Sequence, residues 1–411
     1  MSAAGCRFCG APLEITLADL GVSPLANAFL APEALDRMEP FYPLHARVCG
    51  QCWLAQVQAF EQPQRIFADY AYFSSFSESW LEHARRFAGA ARERFHLGPA
   101  SLVIEVASND GYLLQYFRDA GIPVLGIEPA ANVARAAQER RIETLMRFMG
   151  RALGEELAAT GRRADLLVGN NVFAHAPDLH DFSAGLACAL KPEGTLSLEF
   201  PHLLRLIEEQ QFDTIYHEHF SYFSLASASR VLARHGLAVF DVEELPTHGG
   251  SLRVYAAHAA AAAARLTSAP ARIREEEQRR GLERAETYRR FAEGVSAVKH
   301  GLLRFLIEAR ESGKRVAGYG APAKGNTLLN YCGVREDLLA YTVDLSPHKQ
   351  WRFLPGTRIP IFAPEHVART RPDYLLILPW NLRDEIVAQM RHIRDWGGKF
   401  VVPIPRLAVI V

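Results

Sequence analysis

The chain has 411 residues, 49% of them hydrophobic, so it is too long for one compact domain and can form two or three cores. Basic and acidic residues number 46 each, so the net charge is zero and no basic excess indicates a nucleic-acid partner. The N-terminus lacks the features of a signal peptide and no apolar run is long enough to span a bilayer, so we expect a cytoplasmic protein with no membrane partner.

Four of the six cysteines form two Cys-x-x-Cys pairs, Cys6 with Cys9 and Cys49 with Cys52. In a reducing compartment such pairs indicate metal ligands before disulfides. Two turns of this kind direct four thiolates at one ion and complete a closed tetrahedral site, which has no open position for substrate. The spacing predicts one structural zinc ion per chain in a small N-terminal domain, with a redox Cys-x-x-Cys pair as the alternative.

From Ser101 onward, short apolar runs alternate with amphipathic segments, as in a doubly wound sheet. The predicted strands are residues 102–107, 124–129, 165–172 and 195–200, followed by a hairpin of residues 237–245 and 251–257. Glu128 ends the second strand, 17 residues beyond Gly111. That position predicts the carboxylate that binds a ribose diol.

The first β-α turn distinguishes between two kinds of cofactor. A dinucleotide fold places three glycines there so that the backbone can approach a pyrophosphate, whereas Ser108-Asn109-Asp110-Gly111 supplies one. An adenosine that carries an amine, a carboxylate and a sulfonium, but no phosphate, suits this turn better. The candidate cofactor-binding residues are Glu105, Ala107, Ser108, Asn109, Asp110, Gly111, Glu128, Pro129, Asn170 and Asn171.

A cluster of titratable groups, Tyr216-His217-Glu218-His219, lies in an aromatic segment that ends at Phe223. Two imidazoles and a carboxylate in apolar surroundings are typical of a general base, but they also allow a His-x-His metal site. The metal site would need a further ligand, and neither His202 nor His248 has a diagnostic spacing.

Taken together, these motifs resemble the S-adenosylmethionine-dependent sugar C-methyltransferases. The resemblance is carried by the cysteine pairs, Ile-Glu-Val-Ala-Ser-Asn-Asp-Gly (104–111), Asn-Asn-Val-Phe-Ala-His (170–175), Tyr-His-Glu-His-Phe (216–220) and His-Gly-Gly-Ser-Leu-Arg-Val-Tyr (248–255). It implies an α/β fold in which a class I methyltransferase doubly wound sheet is flanked by a small zinc-binding N-terminal domain and a C-terminal Rossmann-like domain. The expected boundaries are residues 1–70, 71–262 and 263–411.

The resemblance also implies the reaction. The expected substrate is a nucleoside-diphosphate 4-keto-6-deoxysugar, which loses the proton beside the ketone and is methylated there. Carbon 3 is the favoured position, and carbon 5 is the alternative that the sequence leaves open. His219 matches the family's base, and Glu218 is expected to orient or polarise it. Tyr216 and His175 are expected to stabilise the enolate oxygen or position the sugar, and Tyr70 matches a further active-site tyrosine.

Further residues are expected to contact the substrate, and His217 is expected to be structural. The substrate candidates are Tyr72, Ser74, Ser75, His248, Ser251, Arg253, Lys324 and Asn326. Lys324 would hold a cation beside a helix N-terminus, where it could bind the diphosphate. Whether the chain is a monomer or a homodimer stays open.

The last 160 residues give rise to an alternative. Steps of three and four predict a packing helix with one buried stripe at Tyr288, Phe291, Val295, Val298, Leu302, Phe305 and Ala309. Gly318-x-Gly320-x-x-Ala323 then follows a predicted strand, and Asp344 could serve as a ribose carboxylate, as in a dinucleotide site. The chain could therefore be a nicotinamide-dependent sugar-nucleotide oxidoreductase or epimerase. A third alternative is a zinc-scaffolded binding module without turnover.

Overall fold

The computed structural model describes residues 5–63 and 73–410, and its strands lie in three β-sheets. The N-terminal strands are β1 (Ile15–Ser23), β2 (Tyr42–Val48) and β3 (Ala55–Gln56), which pair antiparallel in that order. The second cysteine pair connects β2 to β3, so the predicted zinc site lies at one end of this sheet. Among the described residues, no helix is long and apolar enough to cross a membrane.

The middle region alternates strands and helices as the sequence predicts. Its strands are β4 (Val103–Val106), β5 (Val124–Ile127), β6 (Thr144–Leu145), β7 (Ala164–Asn170), β8 (Leu190–Pro201), β9 (Ser221–Tyr222), β10 (Leu237–Leu245) and β11 (Ser251–His258). Its helices are α1 (Glu78–Arg94), α2 (Leu114–Asp119), α3 (Ala131–Glu139), α4 (Arg151–Ala159), α5 (Leu179–Ala189), α6 (Leu203–Glu208), α7 (Leu225–Ala233) and α8 (Ala259–Ala263).

Seven of these strands form one sheet in the order β10-β11-β8-β7-β4-β5-β6. The strands from β8 to β6 are parallel, and the β10–β11 hairpin adds an antiparallel edge, as predicted. This is the strand order of a class I methyltransferase, which confirms the predicted fold class. Because the connections diverge at β4 and β7, the carboxyl ends of these two strands open a crevice, where doubly wound folds bind ligands.

The short strand β9 leaves the middle sheet and joins the N-terminal one. Ala55 of β3 pairs with Tyr222 and Gln56 with Ser221, and the Val57 amide donates to the Phe220 carbonyl at 3.1 Å. The segment that carries His219 is therefore continued by a strand of the zinc-domain sheet.

The C-terminal region begins with α9 (Ala269–Arg279) and the long helix α10 (Ala285–Glu311), which packs against β1. The buried stripe of α10 is the predicted one except that Leu306 takes the place of the partly buried Phe305. The remaining elements are β12 (Val316–Tyr319), α11 (Ala323–Cys332), β13 (Thr342–Val343), β14 (Ile361–Phe362), α12 (Glu365–Thr370), β15 (Tyr374–Ile377), α13 (Arg383–Gln389), β16 (Lys399–Val402) and β17 (Ala408–Ile410).

The third sheet has the order β14-β13-β12-β15-β16-β17, and all its pairs except β16–β17 are parallel. The connections diverge at β12 and β15, so this sheet has its own crevice at the carboxyl ends of those strands. Residues that follow β4, β7, β12 and β15 line one cavity, so the two crevices face each other.

Candidate active site

The four predicted zinc ligands converge at one end of the N-terminal sheet. The sulfurs of Cys6, Cys9, Cys49 and Cys52 all lie within 4.8 Å of one another. The Gln56 side-chain amide lies 3.2 Å from the Cys6 sulfur and can donate to it, as amides do around structural metal ions. A four-thiolate donor set at these separations fits a closed tetrahedral zinc site. Within the described residues, no other group of His, Cys, Asp and Glu ligand atoms is close enough to hold a metal ion.

A cavity of about 540 Å³ lies between the carboxyl edges of the middle and C-terminal sheets. Small-molecule sites usually have volumes of about 300–1,000 Å³. On one side the cavity is lined by the loops after β4, β5 and β7, and on the other side by the residues after β12 and β15. His175, Tyr216, His219 and His248 also line this cavity.

Glu128 lines the middle-domain side of the cavity and is 5% exposed. One of its carboxylate oxygens accepts the Asn109 amide at 3.0 Å and the other accepts the Ala130 amide at 2.9 Å. Because a carboxylate oxygen can accept more than one hydrogen bond, both retain capacity for a ribose diol. Burial raises the pKa of Glu128 to about 7.

The turn after β4 has the tight backbone that its sequence predicts. Ala107, Asn109 and Gly111 have φ values of 57°, 49° and 77°. A Cβ on Gly111 would lie 2.3 Å from the Ile142 Cδ1 atom, so both conformation and space favour glycine there. The Asn109 side chain accepts the Ser74 amide at 2.9 Å, which connects the turn to the short helical segment Ser74–Phe76 that precedes α1.

Only part of the predicted cofactor set lines the cavity. The predicted residues that do are Ala107, Asn109, Glu128, Pro129, Asn170 and Asn171. The others, Glu105, Ser108, Asp110 and Gly111, support the turn from behind, and the first three side chains are 0% exposed. Sequence reasoning missed Tyr112, whose hydroxyl accepts the Asn170 amide at 3.1 Å, and Trp80, which packs 5.2 Å from the His248 ring.

The hydrogen bonds of His219 identify its tautomer. Its Nδ1 atom lies 3.0 Å from the Thr214 carbonyl oxygen, which can only accept, so Nδ1 carries the proton. Its Nε2 atom lies 2.9 Å from the Tyr216 hydroxyl, and therefore accepts from it. Burial, reinforced by His175, lowers the pKa of His219 well below its ordinary value. His219 is thus a neutral imidazole that lines the cavity, and its basic atom is Nε2.

Glu218 points away from the base it was expected to orient. Both of its oxygens accept from the Asn27 side-chain amide, at 2.8 and 2.9 Å, and the residue is 2% exposed. Burial raises the pKa of Glu218 to about 7. The Thr214 carbonyl orients His219 instead, and Glu218 connects the segment that carries His219 to the N-terminal domain.

His175 and His248 add two further imidazoles to the cavity wall. The His175 ring lies edge-on to His219, with 4.8 Å between centroids. His248 has a left-handed backbone with φ 54°, and its Nε2 atom lies 3.1 Å from the Asn171 side-chain amide. Burial lowers the pKa of each to about 4, so both are neutral near pH 7.

His217 lies outside the cavity. Its Nε2 atom donates to the Pro43 carbonyl oxygen at 3.1 Å, and its ring packs edge-on against Tyr42. His217 and His219 therefore face different partners, and the His-x-His metal site, already the weaker alternative, has no support among the described residues.

Two of the predicted substrate residues, Ser251 and Arg253, do not line the cavity and instead have partners within the protein. Arg253 is 5% exposed, and its guanidinium donates to the buried Glu199 carboxylate at 2.7 Å. The guanidinium is therefore paired with a carboxylate of the adjacent strand. Although burial alone would raise the pKa of Glu199, the hydrogen bond from His83 and the charge of Arg253 lower it to about 2. The Ser251 hydroxyl donates to the Thr247 carbonyl at 2.9 Å, so it stabilises the turn that presents His248.

The other predicted substrate residues divide in a similar way. Ser74 and Lys324 line the cavity, whereas Ser75 bonds to the Asp110 carboxylate beneath it. Asn326 is 1% exposed and donates to the Ala26 carbonyl at 2.6 Å, so it connects two domains rather than facing a ligand. Tyr70 and Tyr72 lie outside the described residues.

Three family models match consecutive segments of the chain. A zinc binding domain matches residues 6–67, a methyltransferase domain matches residues 80–242, and a C-methyltransferase C-terminal domain matches residues 246–405. The C-methyltransferase NovU of Streptomyces niveus is 39% identical over 405 residues, which cover 98% of this chain and 96% of NovU.

The solved methyltransferase structures that resemble the chain are more distant and each cover less than half of it. Magnesium protoporphyrin IX methyltransferase (ChlM) from Synechocystis PCC 6803 with bound SAH is 16% identical, covers 43% of this chain and 82% of its own, and has a TM-score of 0.33. The glycopeptide N-methyltransferase MtfA complexed with S-adenosyl-L-methionine is 18% identical, covers 46% and 96%, and has a TM-score of 0.34. At these TM-scores neither likeness bears on the chemistry of this chain.

The match to a C-methyltransferase along the whole chain overturns the two alternatives from the sequence. The glycines of the dinucleotide-like motif serve packing. A Cβ on Gly318 would lie 2.7 Å from the Thr342 hydroxyl, and one on Gly320 would lie 2.6 Å from Pro379 Cδ. The Asp344 carboxylate accepts the Ala321 amide at 2.7 Å, which gives this residue a role within the β12–α11 turn.

Proposed function

We propose that this chain, which belongs to the C-methyltransferase family, methylates the carbon beside the ketone of a nucleoside-diphosphate 4-keto-6-deoxysugar, at carbon 3. The observation that carries the proposal is the neutral imidazole of His219, which lines a two-sided cavity and has its basic atom at Nε2.

The middle-domain side of the cavity fits S-adenosylmethionine. Glu128 offers both carboxylate oxygens to a ribose diol, and the turn after β4 presents its backbone without the three glycines that a pyrophosphate requires. Asn170 and Asn171 supply side-chain amides at the carboxyl end of β7. When bound, this methyl donor supplies an electrophilic methyl group on a sulfonium centre.

His219 has the properties that proton abstraction requires. A general base must be unprotonated, oriented and able to reach the carbon-bound proton. The Thr214 carbonyl holds Nδ1–H, which directs the Nε2 lone pair towards Tyr216. We infer that the substrate displaces the Tyr216 hydroxyl from Nε2, and that the hydroxyl then remains beside the sugar as a hydrogen-bond donor. His175 and His248, both neutral, line the same wall.

The C-terminal side of the cavity supports a second ligand. Pro322, Ala323 and Lys324 approach from the start of α11, and Pro379 and Asn381 approach from the turn after β15. A sugar held between this side and the base would face the methyl donor across the cavity. Binding energy from the remote nucleoside could then position the reacting carbon.

The proposal is tested by solvent-hydrogen exchange. The enzyme is incubated in deuterated water with a thymidine-diphosphate 4-keto-6-deoxysugar and S-adenosylhomocysteine, and deuterium next to the ketone is followed by NMR. We expect exchange by the wild-type protein and a loss of about 10²–10⁴-fold in His219→Asn. Asparagine can still donate to the Thr214 carbonyl but lacks the basic nitrogen. Affinity for S-adenosylhomocysteine should be unchanged.

A matched control is His217→Gln, which keeps a donor for the Pro43 carbonyl and should exchange at the wild-type rate. Exchange and methylation at the wild-type rate in His219→Asn would refute the assignment of the base. Mass spectrometry of products from several 4-keto sugar nucleotides, with a labelled methyl donor, identifies the substrate and the methylated carbon.

A further inference from the structure

Lys324 brings a cation to the catalytic end of the cavity. It lies in the first turn of α11 and lines the cavity together with Tyr216, His219 and His248. Its Nζ atom donates to the Asn381 side-chain oxygen at 2.8 Å and lies 4.7 Å from the centre of the Trp380 ring. Among the described residues it forms no ion pair within 4.0 Å, so its charge is available to a ligand.

One short helical turn positions both Lys324 and the base. The turn comprises Phe212–Thr214, and its Asp213 is 0% exposed and accepts the Trp380 indole N–H at 2.7 Å. Trp380, which Asp213 binds, packs against the Lys324 ammonium group. Thr214, the residue after Asp213, accepts a hydrogen bond from His219 through its carbonyl oxygen. The lysine and the imidazole are therefore held to a common anchor.

The charges around the cavity explain what kind of ligand atom suits Lys324. Proton abstraction beside a ketone converts a neutral carbonyl oxygen into an enolate oxygen with a full negative charge. His175 and His248 are neutral there, and Glu218 is turned towards Asn27. Burial lowers the pKa of Lys324, but the Asp213 carboxylate opposes this effect and favours the protonated amine.

A diphosphate is a poorer match for the same ammonium group. A diphosphate bound to Lys324 would carry its negative charge both before and after proton abstraction, so this contact would not favour the transition state over the bound substrate. The buried Asp213 carboxylate behind Trp380 would also repel a polyanion. A neutral ketone has neither disadvantage, and it becomes anionic only when the base has taken its proton.

We propose that Lys324 is a catalytic residue that donates a hydrogen bond to the ketone oxygen of the substrate and stabilises the enolate. This inference rests on the proposed function. His219 Nε2 takes the proton from the carbon beside the ketone. The electron pair of that C–H bond forms the C=C bond, and the carbonyl π pair moves to the oxygen beside Lys324. The enolate carbon then attacks the methyl group, and the methyl–sulfur pair leaves with sulfur. Lys324 is thus a ligand of the sugar oxygen rather than of the diphosphate.

The test compares Lys324→Met with Lys299→Met. Lys299 also lies over an aromatic ring, 4.6 Å from the Tyr331 centroid, but it does not line the cavity. The first measurement is deuterium exchange at saturating 4-keto sugar nucleotide with S-adenosylhomocysteine bound. The second is calorimetric affinity for thymidine diphosphate, which carries the phosphates without the ketone.

For Lys324→Met we expect exchange to fall by about 10²–10³-fold, as when one oxyanion donor is removed. Affinity for thymidine diphosphate should stay within about threefold of wild type, because the lysine contacts the sugar oxygen. Lys324→Arg should recover part of the exchange, since it restores the charge, and Lys299→Met should match wild type in both measurements.

The outcomes separate the two proposals. If Lys324→Met retains exchange at saturation but loses more than about tenfold in thymidine diphosphate affinity, the lysine binds the diphosphate and this inference is overturned. If the wild-type protein itself exchanges no 4-keto sugar nucleotide, the proposed function fails, and the role of Lys324 fails with it.

Discussion

Glu128→Gln tests the cofactor side of the cavity most directly. Each Glu128 oxygen already accepts one backbone amide, so the glutamine amide group must face either the Asn109 or the Ala130 N–H, donor against donor. One buried N–H then loses its acceptor, at a cost of about 1–3 kcal/mol of folding stability. The ribose diol also loses one charged acceptor. A hydrogen bond to a charged group contributes about 1.5–3 kcal/mol, which corresponds to about 10- to 150-fold in affinity.

Isothermal titration with S-adenosylhomocysteine measures this change, and its pH dependence gives a second signature. Because burial raises the pKa of Glu128 to about 7, the ionised acceptor is lost as the pH falls below 7. Wild-type affinity should therefore decrease by up to about tenfold per pH unit on acidification, whereas the glutamine variant should be insensitive over the same range.

The stability of the unliganded protein changes in the opposite sense. A carboxyl whose folded-state pKa is raised contributes its stability below the unfolded value of about 4.5 and loses it as the pH rises through 7. Glu286→Gln is the control, since Glu286 is exposed and lies 3.6 Å from Arg289. If Glu128→Gln bound S-adenosylhomocysteine as tightly as wild type, with the same pH profile, the carboxylate would not contact the ribose.

Two further substitutions test the structural roles of buried polar groups. Metal analysis should find about one zinc ion per chain. Cys49→Ser should bind no zinc, and its N-terminal domain should no longer unfold cooperatively. Two zinc ions per wild-type chain would instead favour a metal site at the histidine cluster. Arg253→Met should destabilise the protein by about 3–5 kcal/mol in denaturant titration, because it leaves the Glu199 carboxylate buried without its cation. Unchanged stability with weaker sugar-nucleotide binding would instead favour the substrate contact predicted from sequence.

The order of elements could be predicted from the sequence because periodicity and turn chemistry are local. The strands, the terminal hairpin and the buried stripe of α10 follow from the spacing of apolar residues. The location of Glu128 at the cofactor side could also be predicted, because the carboxyl ends of the strands in a doubly wound sheet all lie at the edge where ligands bind. Each Cys-x-x-Cys turn brings its two sulfurs together locally, so the spacing of the cysteines predicts that the four sulfurs form one site.

Side-chain direction could not be predicted, because it depends on partners that are distant in sequence. The direction of the Glu218 side chain is set by its hydrogen bond with Asn27, 191 positions earlier in the chain, rather than by its neighbour His219. The motif around Arg253 suggested a ligand contact, but Glu199 on the adjacent strand occupies it. Trp380 and Asp213 carried no motif, and only the packing of the C-terminal domain against the middle one shows their relation to Lys324.

The pairing of β3 with β9 has a consequence for building chimeric enzymes in this family. The N-terminal domain supplies the edge that receives Ser221 and Tyr222, and it also supplies Asn27 for Glu218. A zinc domain transplanted from a relative would meet a foreign catalytic segment at both places. Successful exchange should therefore require residues 216–222 to be transferred together with their own N-terminal domain, although Glu218 lies 191 positions from its partner Asn27 in the chain.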